Sequence, residues 1–279
     1  RHSLSGGPGR RRCVGAGLLA LTVLFAFCPL ANAAANVAVR SVEVERAAFR
    51  VTLSDGRIVP QNQLPGTILA LGDGTGRQRR IRIDGVERDR QDAAGEVVLY
   101  MLSEQDPESG EWRNLCLPDP DGRRLGFPLA GAFTADGRYE AAPGRILLTC
   151  TGGAEGKCVR FGYKPWGFGP NNVSLAPYYQ ACVRLVRADY CGDGIGHTRD
   201  GTSIDIFDAI GIQRDETTPG MTFEAAWRAE GAVCVRHTRL PDVLDSATLA
   251  AYCPRLAHAI GETCEEAAPT LLYNRSFSH

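Results

Sequence analysis

The sequence predicts an α+β fold, with a β-rich first part followed by a disulfide-rich part carrying short helices. Three observations point there. From Val37 to Cys150 the chain is a series of short apolar or alternating runs broken by turn residues, the pattern of strands between tight turns. Helix-like spacing of apolar residues begins only after Cys150. Six of the eight cysteines that follow residue 33 also lie beyond that point. Strands first and helices afterwards is the order of an α+β chain rather than of alternating βαβ units.

Residues 1–33 are expected to be an export signal. Arg1, Arg10, Arg11 and Arg12 precede an apolar run from Cys13 to Leu30 that closes on Ala31-Asn32-Ala33. A basic start, an apolar middle and an A-x-A site are the parts of a signal peptide. Gly15, Gly17 and Pro29 interrupt the run, and no basic flank follows it, which argues against a permanent spanning helix. Cys28 follows the bulky Phe27 rather than small residues, so no lipid anchor is expected. The mature chain is then expected to start near Ala34 and to be periplasmic or extracellular.

Loss of residues 1–33 takes four arginines and no acid, so 27 basic residues stand against 32 acidic ones and the formal charge moves from −1 to −5. A mildly acidic protein is a poor partner for nucleic acid or an anionic membrane. A cell-envelope glycan or protein is the more fitting partner. The remaining cysteines, at positions 116, 150, 158, 182, 191, 234, 253 and 264, are even in number, which reads as a disulfide framework in an exported chain. Eight cysteines allow 105 pairings, and spacing does not choose among them. No pair has C-x-x-C spacing, which weakens a structural zinc site or a thioredoxin-like motif.

Within residues 34–149, the β-rich segment, Phe49–Leu53 precedes Asp55-Gly56, Ile81–Ile83 precedes Asp84-Gly85, and Glu96–Tyr100 is a further run. Each reads as a strand beside a turn. Gly72-Asp73-Gly74-Thr75-Gly76 lacks the Lys-Ser/Thr of a phosphate-binding loop and runs into a strand-like stretch, so it is a hairpin loop.

Residues 150–279 form the cysteine-rich segment. Pro177 can open a helix whose Tyr179, Val183, Val186 and Tyr190 fall on one stripe with Gly192 as the stop, leaving Arg184 and Arg187 on other faces. If it ran through Cys191, then Cys182 and Cys191 would be about 13 Å apart along its axis, too far to bridge. A second helix is expected from Thr222 through Trp227 to Gly231, and a third over Asp245–Ala259 with Ser246 as cap and Pro254 as an interruption.

One stretch resembles a known family. It runs Arg184-Leu185-Val186-Arg187-Ala188-Asp189-Tyr190-Cys191-Gly192-Asp193-Gly194, then His197-Thr198-Arg199-Asp200-Gly201-Thr202 and Ile204-Asp205. Upstream it is joined by Gly156-Lys157-Cys158, Gly162-Tyr163 and Pro165-Trp166, downstream by Phe223–Trp227 and Gly231–Cys234. These residues resemble the bacterial ADYC domain, over roughly Cys116 to Cys264. The family is one of unknown function, so the resemblance implies a domain and no catalytic residue.

Chemistry offers two candidate sites. Asp193, His197, Asp200, Asp205 and Asp208 cluster among glycine-rich turns. Such a set can hold a divalent cation, and His197, Asp193 and Asp200 can provide general acid and base. Turn and capping roles explain Asp193-Gly194 and Asp200-Gly201 without a ligand, and the glutamate and alternating acids of an EF-hand are missing. No cofactor is therefore predicted, with a divalent cation the one candidate. Cys191 near His197 invites a thiol nucleophile, but a free Cys191 would leave seven cysteines to pair. The second candidate is Pro165-Trp166-Gly167-Phe168-Gly169 with Tyr163, where Trp166, Phe168 and Tyr163 could form a stacking platform for sugar rings or simply pack in the core. No G-x-S-x-G is present. A binding or structural module is thus expected, the alternative being a secreted hydrolase or metal-dependent enzyme built on Asp193–Asp208.

Overall fold

Turn dipeptides and alternating runs become, in the computed structural model, twelve strands with three short α-helices among the described residues, which are 37–72, 76–214, 216–266 and 270–278. The expected signal peptide and residues 73–75 of the Gly72–Gly76 loop lie outside them. The strands are β1 (Val39–Glu45), β2 (Ala48–Leu53), β3 (Ile68–Gly72), β4 (Gln78–Arg88), β5 (Val98–Gln105), β6 (Trp112–Asn114), β7 (Gly126–Phe133) and β8 (Tyr139–Cys150). Then follow α1 (Ala154–Arg160), α2 (Ala176–Arg187), β9 (Asp205–Asp208), β10 (Met221–Arg228), β11 (Gly231–Val235), α3 (Ser246–Tyr252) and β12 (Leu272–Phe277). The expected α+β class, β-rich first, is the class found.

β1 and β2 pair as a hairpin. A six-stranded antiparallel sheet runs β3-β4-β5-β7-β8, with β6 paired to β5. β3 and β4 flank the Gly72–Gly76 loop in register, Gly72 opposite Gln78. Asp84-Gly85 is not a turn, however: β4 runs straight through it, with a register shift between Ile83 and Gly85. The Asp84 carboxylate is satisfied there by Arg82 beside it and by the Ser103 hydroxyl on β5 at 2.5 Å, so the Asp-Gly pair makes a bulge rather than a reversal.

A second sheet has the order β11-β10-β12-β9. It replaces the helix expected over Thr222–Gly231. β10 lies between β11 and β12 and buries Glu224, Ala225, Ala226 and Trp227 in succession. A strand covered on both faces has no polar alternation to display, and its run of small and aromatic residues imitates helical spacing.

The expected helix at Pro177 is α2, with Pro177 in its first turn, where a missing N–H costs nothing. Tyr179, Val183 and Tyr190 are buried as the stripe predicts. The helix ends earlier than Gly192, at Arg187, because Ala188 turns into the left-handed region at φ 52° and ψ 40°. Arg184 is not turned to solvent but is almost fully buried. The third helix is also shorter than expected: α3 is capped by the Asp245 carboxylate, which accepts from the Thr248 amide at 2.7 Å. Ser246 is its first residue, and Pro254 opens a separate 3-10 turn.

Four disulfides join Cys116 to Cys150, Cys158 to Cys182, Cys191 to Cys253 and Cys234 to Cys264. The second ties α1 to α2 and the third fastens the exit of α2 to the end of α3. No described helix is long and apolar enough to cross a membrane.

Candidate ligand-binding cleft

The tetrapeptide Ala188-Asp189-Tyr190-Cys191 holds the interior together rather than facing solvent. Asp189 is buried, and its carboxylate accepts from the Arg184 guanidinium at 2.5 Å and from the amides of Gly192, Asp193 and Gly194 at 2.9, 3.1 and 3.0 Å. Gly192, at φ 76°, must be glycine, since a Cβ there would lie 1.8 Å from the Glu230 carbonyl oxygen. The Tyr190 ring stacks on Trp227 with centroids 5.2 Å apart. Its hydroxyl donates to Glu224 at 2.9 Å and accepts from the Arg239 amide at 2.8 Å. Burial above all, then the Glu224 charge, pushes the Tyr190 hydroxyl well above its ordinary pKa. Cys191 is oxidised with Cys253, so it is not a thiol nucleophile.

The five residues considered as a cation or acid–base set are dispersed. Asp200 is exposed on a turn. Asp205 accepts from the Thr218 amide and hydroxyl at 2.6 and 2.8 Å. Asp208 accepts from the amides of Ile210, Ile212 and Gln213 and from the Tyr163 hydroxyl. Only Asp193 and His197 share a corner, with Tyr252: its hydroxyl donates to Asp193, and its ring meets the His197 ring edge-on at 5.9 Å. Burial lowers the His197 pKa against the opposing pull of Asp193 and Asp189, and its Nε2 has no hydrogen-bond partner among the described residues. Among the described residues no three His, Cys, Asp or Glu side chains are placed to share a metal ion. The physical reason is local: Asp193, Asp205 and Asp208 are already spent on backbone amides and nearby hydroxyls, a common use of turn carboxylates.

The aromatic candidates separate as well. Tyr163 is fully buried and stacks on Tyr178, so it belongs to the core and not to a platform. Trp166 is half-buried, its indole N–H donating to Glu96 at 3.4 Å. Phe168 is the exposed member, 65% accessible. Its loop is rigid: Gly167 donates to the Lys164 carbonyl, Leu175 to that of Gly167 and Gly169 to that of Val173, at 2.8–3.0 Å. Gly169 suits this crossing, because a Cβ would come within 3.1 Å of Leu175 and 3.3 Å of Ile210.

Phe168 stands at the mouth of a cleft of about 680 Å³, walled by the 91–94 turn, by Arg160–Gly162 at the end of α1 and by Ile212 and Gln213. Lys164 crosses its wall, its ammonium 2.6 Å from Asp92 and 2.9 Å from Glu96. Burial works to raise the Asp92 pKa, but Lys164 and the Val97 and Glu96 amides hold it below the ordinary carboxylate value. Gln91, Gln213 and Arg160 add polar edges. Sequence reading reached Phe168 through its aromatic neighbours but had no signal for Gln91 or Asp92, which arrive from the first sheet's loops.

No curated protein and no solved structure matches this chain. The ADYC domain matches residues 61–241, well over half of the sequence and including every residue that lines the cleft. The chain therefore belongs to the ADYC domain family.

Proposed function

We propose that this ADYC protein is an exported binding module that takes a saccharide of the cell envelope in the Phe168 cleft. The observation that carries the reading is Phe168, exposed on a loop fixed by three backbone hydrogen bonds, beside a cleft with amide and charged edges. An aromatic face with a few polar groups at its rim is how proteins hold sugar rings. Four disulfides support an oxidising, periplasmic or extracellular setting, as does the signal-like start of the sequence. Dispersal of the acids around His197 favours binding over hydrolysis.

Calorimetric titration with soluble peptidoglycan fragments tests this. Saturable binding that Phe168→Ala weakens by roughly tenfold or more, equivalent to the ~1.5 kcal/mol upper range of an aromatic contact, with an unchanged melting temperature, is the expected result. Equal binding by Phe168→Ala would remove the cleft from the function.

A further inference from the structure

β3 and β8 are the two edge strands of the six-stranded sheet, yet residues of both line one groove of about 790 Å³. The sheet therefore curls until its edges face each other. Leu69 and Leu71 of β3 stand on one side, Ile146 and Leu148 of β8 on the other, and Val42 and Val51 of the β1-β2 hairpin contribute to the lining. The volume is within the roughly 300–1,000 Å³ of small-molecule sites.

Charge distinguishes this groove from a bare apolar face. Among the described residues no acid lines it, and its two cations are Arg79 and Arg145. Arg79 is engaged in a bidentate pair with Glu104 at 2.6 and 2.9 Å. Arg145 is exposed and has no hydrogen-bond or ion-pair partner among the described residues. It is placed by an irregularity in β8: Ala130 pairs with Ile146 but Gly131 with Ala141, so residues 142–145 are looped out. Bulges of this kind re-aim side chains at sheet edges. Pro143 and Gly144 in the same bulge interrupt the ladder that an incoming strand would need, so an extended peptide fits poorly.

We propose that this groove binds a single-chain fatty acid, its alkyl chain along the aliphatic walls and its carboxylate on Arg145. One uncompensated guanidinium matches a monoanion, and its planar fork suits a carboxylate. The site is separate from the Phe168 cleft and does not depend on the saccharide reading.

Displacement of cis-parinaric acid, a fluorescent fatty acid, from the purified protein tests it. Palmitate should displace the probe saturably and roughly tenfold or more better than hexadecanol, the step expected of a hydrogen-bonded charge. Arg145→Gln, a surface change that leaves the fold intact, should erase that preference while hexadecanol binding stays the same. Absence of saturable probe uptake overturns the proposal, as does a palmitate preference that survives Arg145→Gln. Phe168→Ala should leave palmitate binding untouched; a loss there would also overturn the assignment to this groove.

Discussion

Arg239 closes two hydrogen bonds on Glu224, Nε to Oε2 and Nη2 to Oε1, each 3.0 Å, with both side chains sealed from solvent. The same guanidinium donates to the carbonyls of Leu185 and Val186 at 2.8 and 3.0 Å, near the end of α2, and Asn274 of β12 donates to Glu224 at 2.7 Å. One ion pair thus fastens the helix to the second sheet. Burial tends to raise the Glu224 pKa, but Arg239 and the hydrogen bonds bring it below the ordinary 4.5. A lowered carboxylate contributes its stability above the unfolded value and loses it as pH falls through the folded value. Glu224→Gln should therefore destabilise the protein at pH 7 by about 3–5 kcal/mol and flatten the decline in stability below about pH 4.5. Denaturant melts at pH 7, 5 and 3 check both parts.

Ala188 is buried in the left-handed region, where glycine is the usual choice. That conformation costs an L-residue about 1–2 kcal/mol. Glycine would relieve it but would lose a buried methyl and gain unfolded-state entropy, each worth about 0.5–1 kcal/mol. Ala188→Gly should shift stability by less than about 1 kcal/mol, whereas Ala188→Val, branched and overpacked, should cost about 2 kcal/mol or more. Chemical denaturation of the two variants measures the contrast.

His197 should titrate below its ordinary 6.5, because burial outweighs the nearby carboxylates. Asp193→Asn removes a charge that favours the imidazolium, and should lower the value further. Proton NMR of the imidazole across pH 4 to 8 reads both. A His197 value unchanged by Asp193→Asn would place the two groups apart.

Thiol counting on the unfolded, unreduced protein should find none from Cys116 to Cys264. Replacing both Cys191 and Cys253 by serine should cost about 2–5 kcal/mol, read from the melting transition. Two reactive thiols in the wild-type protein would contradict the pairing.

The parts of this fold legible in sequence were those with local causes. β2 and the Gly72–Gly76 hairpin follow from alternation and turns, and α2 from Pro177 and its apolar stripe. The second sheet was illegible because β10 is covered on both faces and so reads as a helix. Partner choice among eight cysteines was beyond spacing, since bonds such as Cys191–Cys253 join elements far apart in the chain. Glu224 inside Phe-Glu-Ala-Ala-Trp carries no local sign of its burial; nothing near it in sequence announces Arg239. Phe168 was legible as a candidate because it lies in an aromatic-rich stretch, but its cleft needs Gln91 and Asp92 from a distant loop.

β12 is an interior strand, lying between β10 and β9, although it begins at Leu272, beyond the stretch that matches the family. Cys253 and Cys264, the partners of Cys191 and Cys234, also fall past residue 241. A fragment excised at the family boundaries would carry two half-bridges with no mate and a sheet missing its third rung, with Glu224 and the Trp227 indole N–H both deprived of Asn274. The smallest piece able to fold by itself is thus longer than the piece by which the family is recognised.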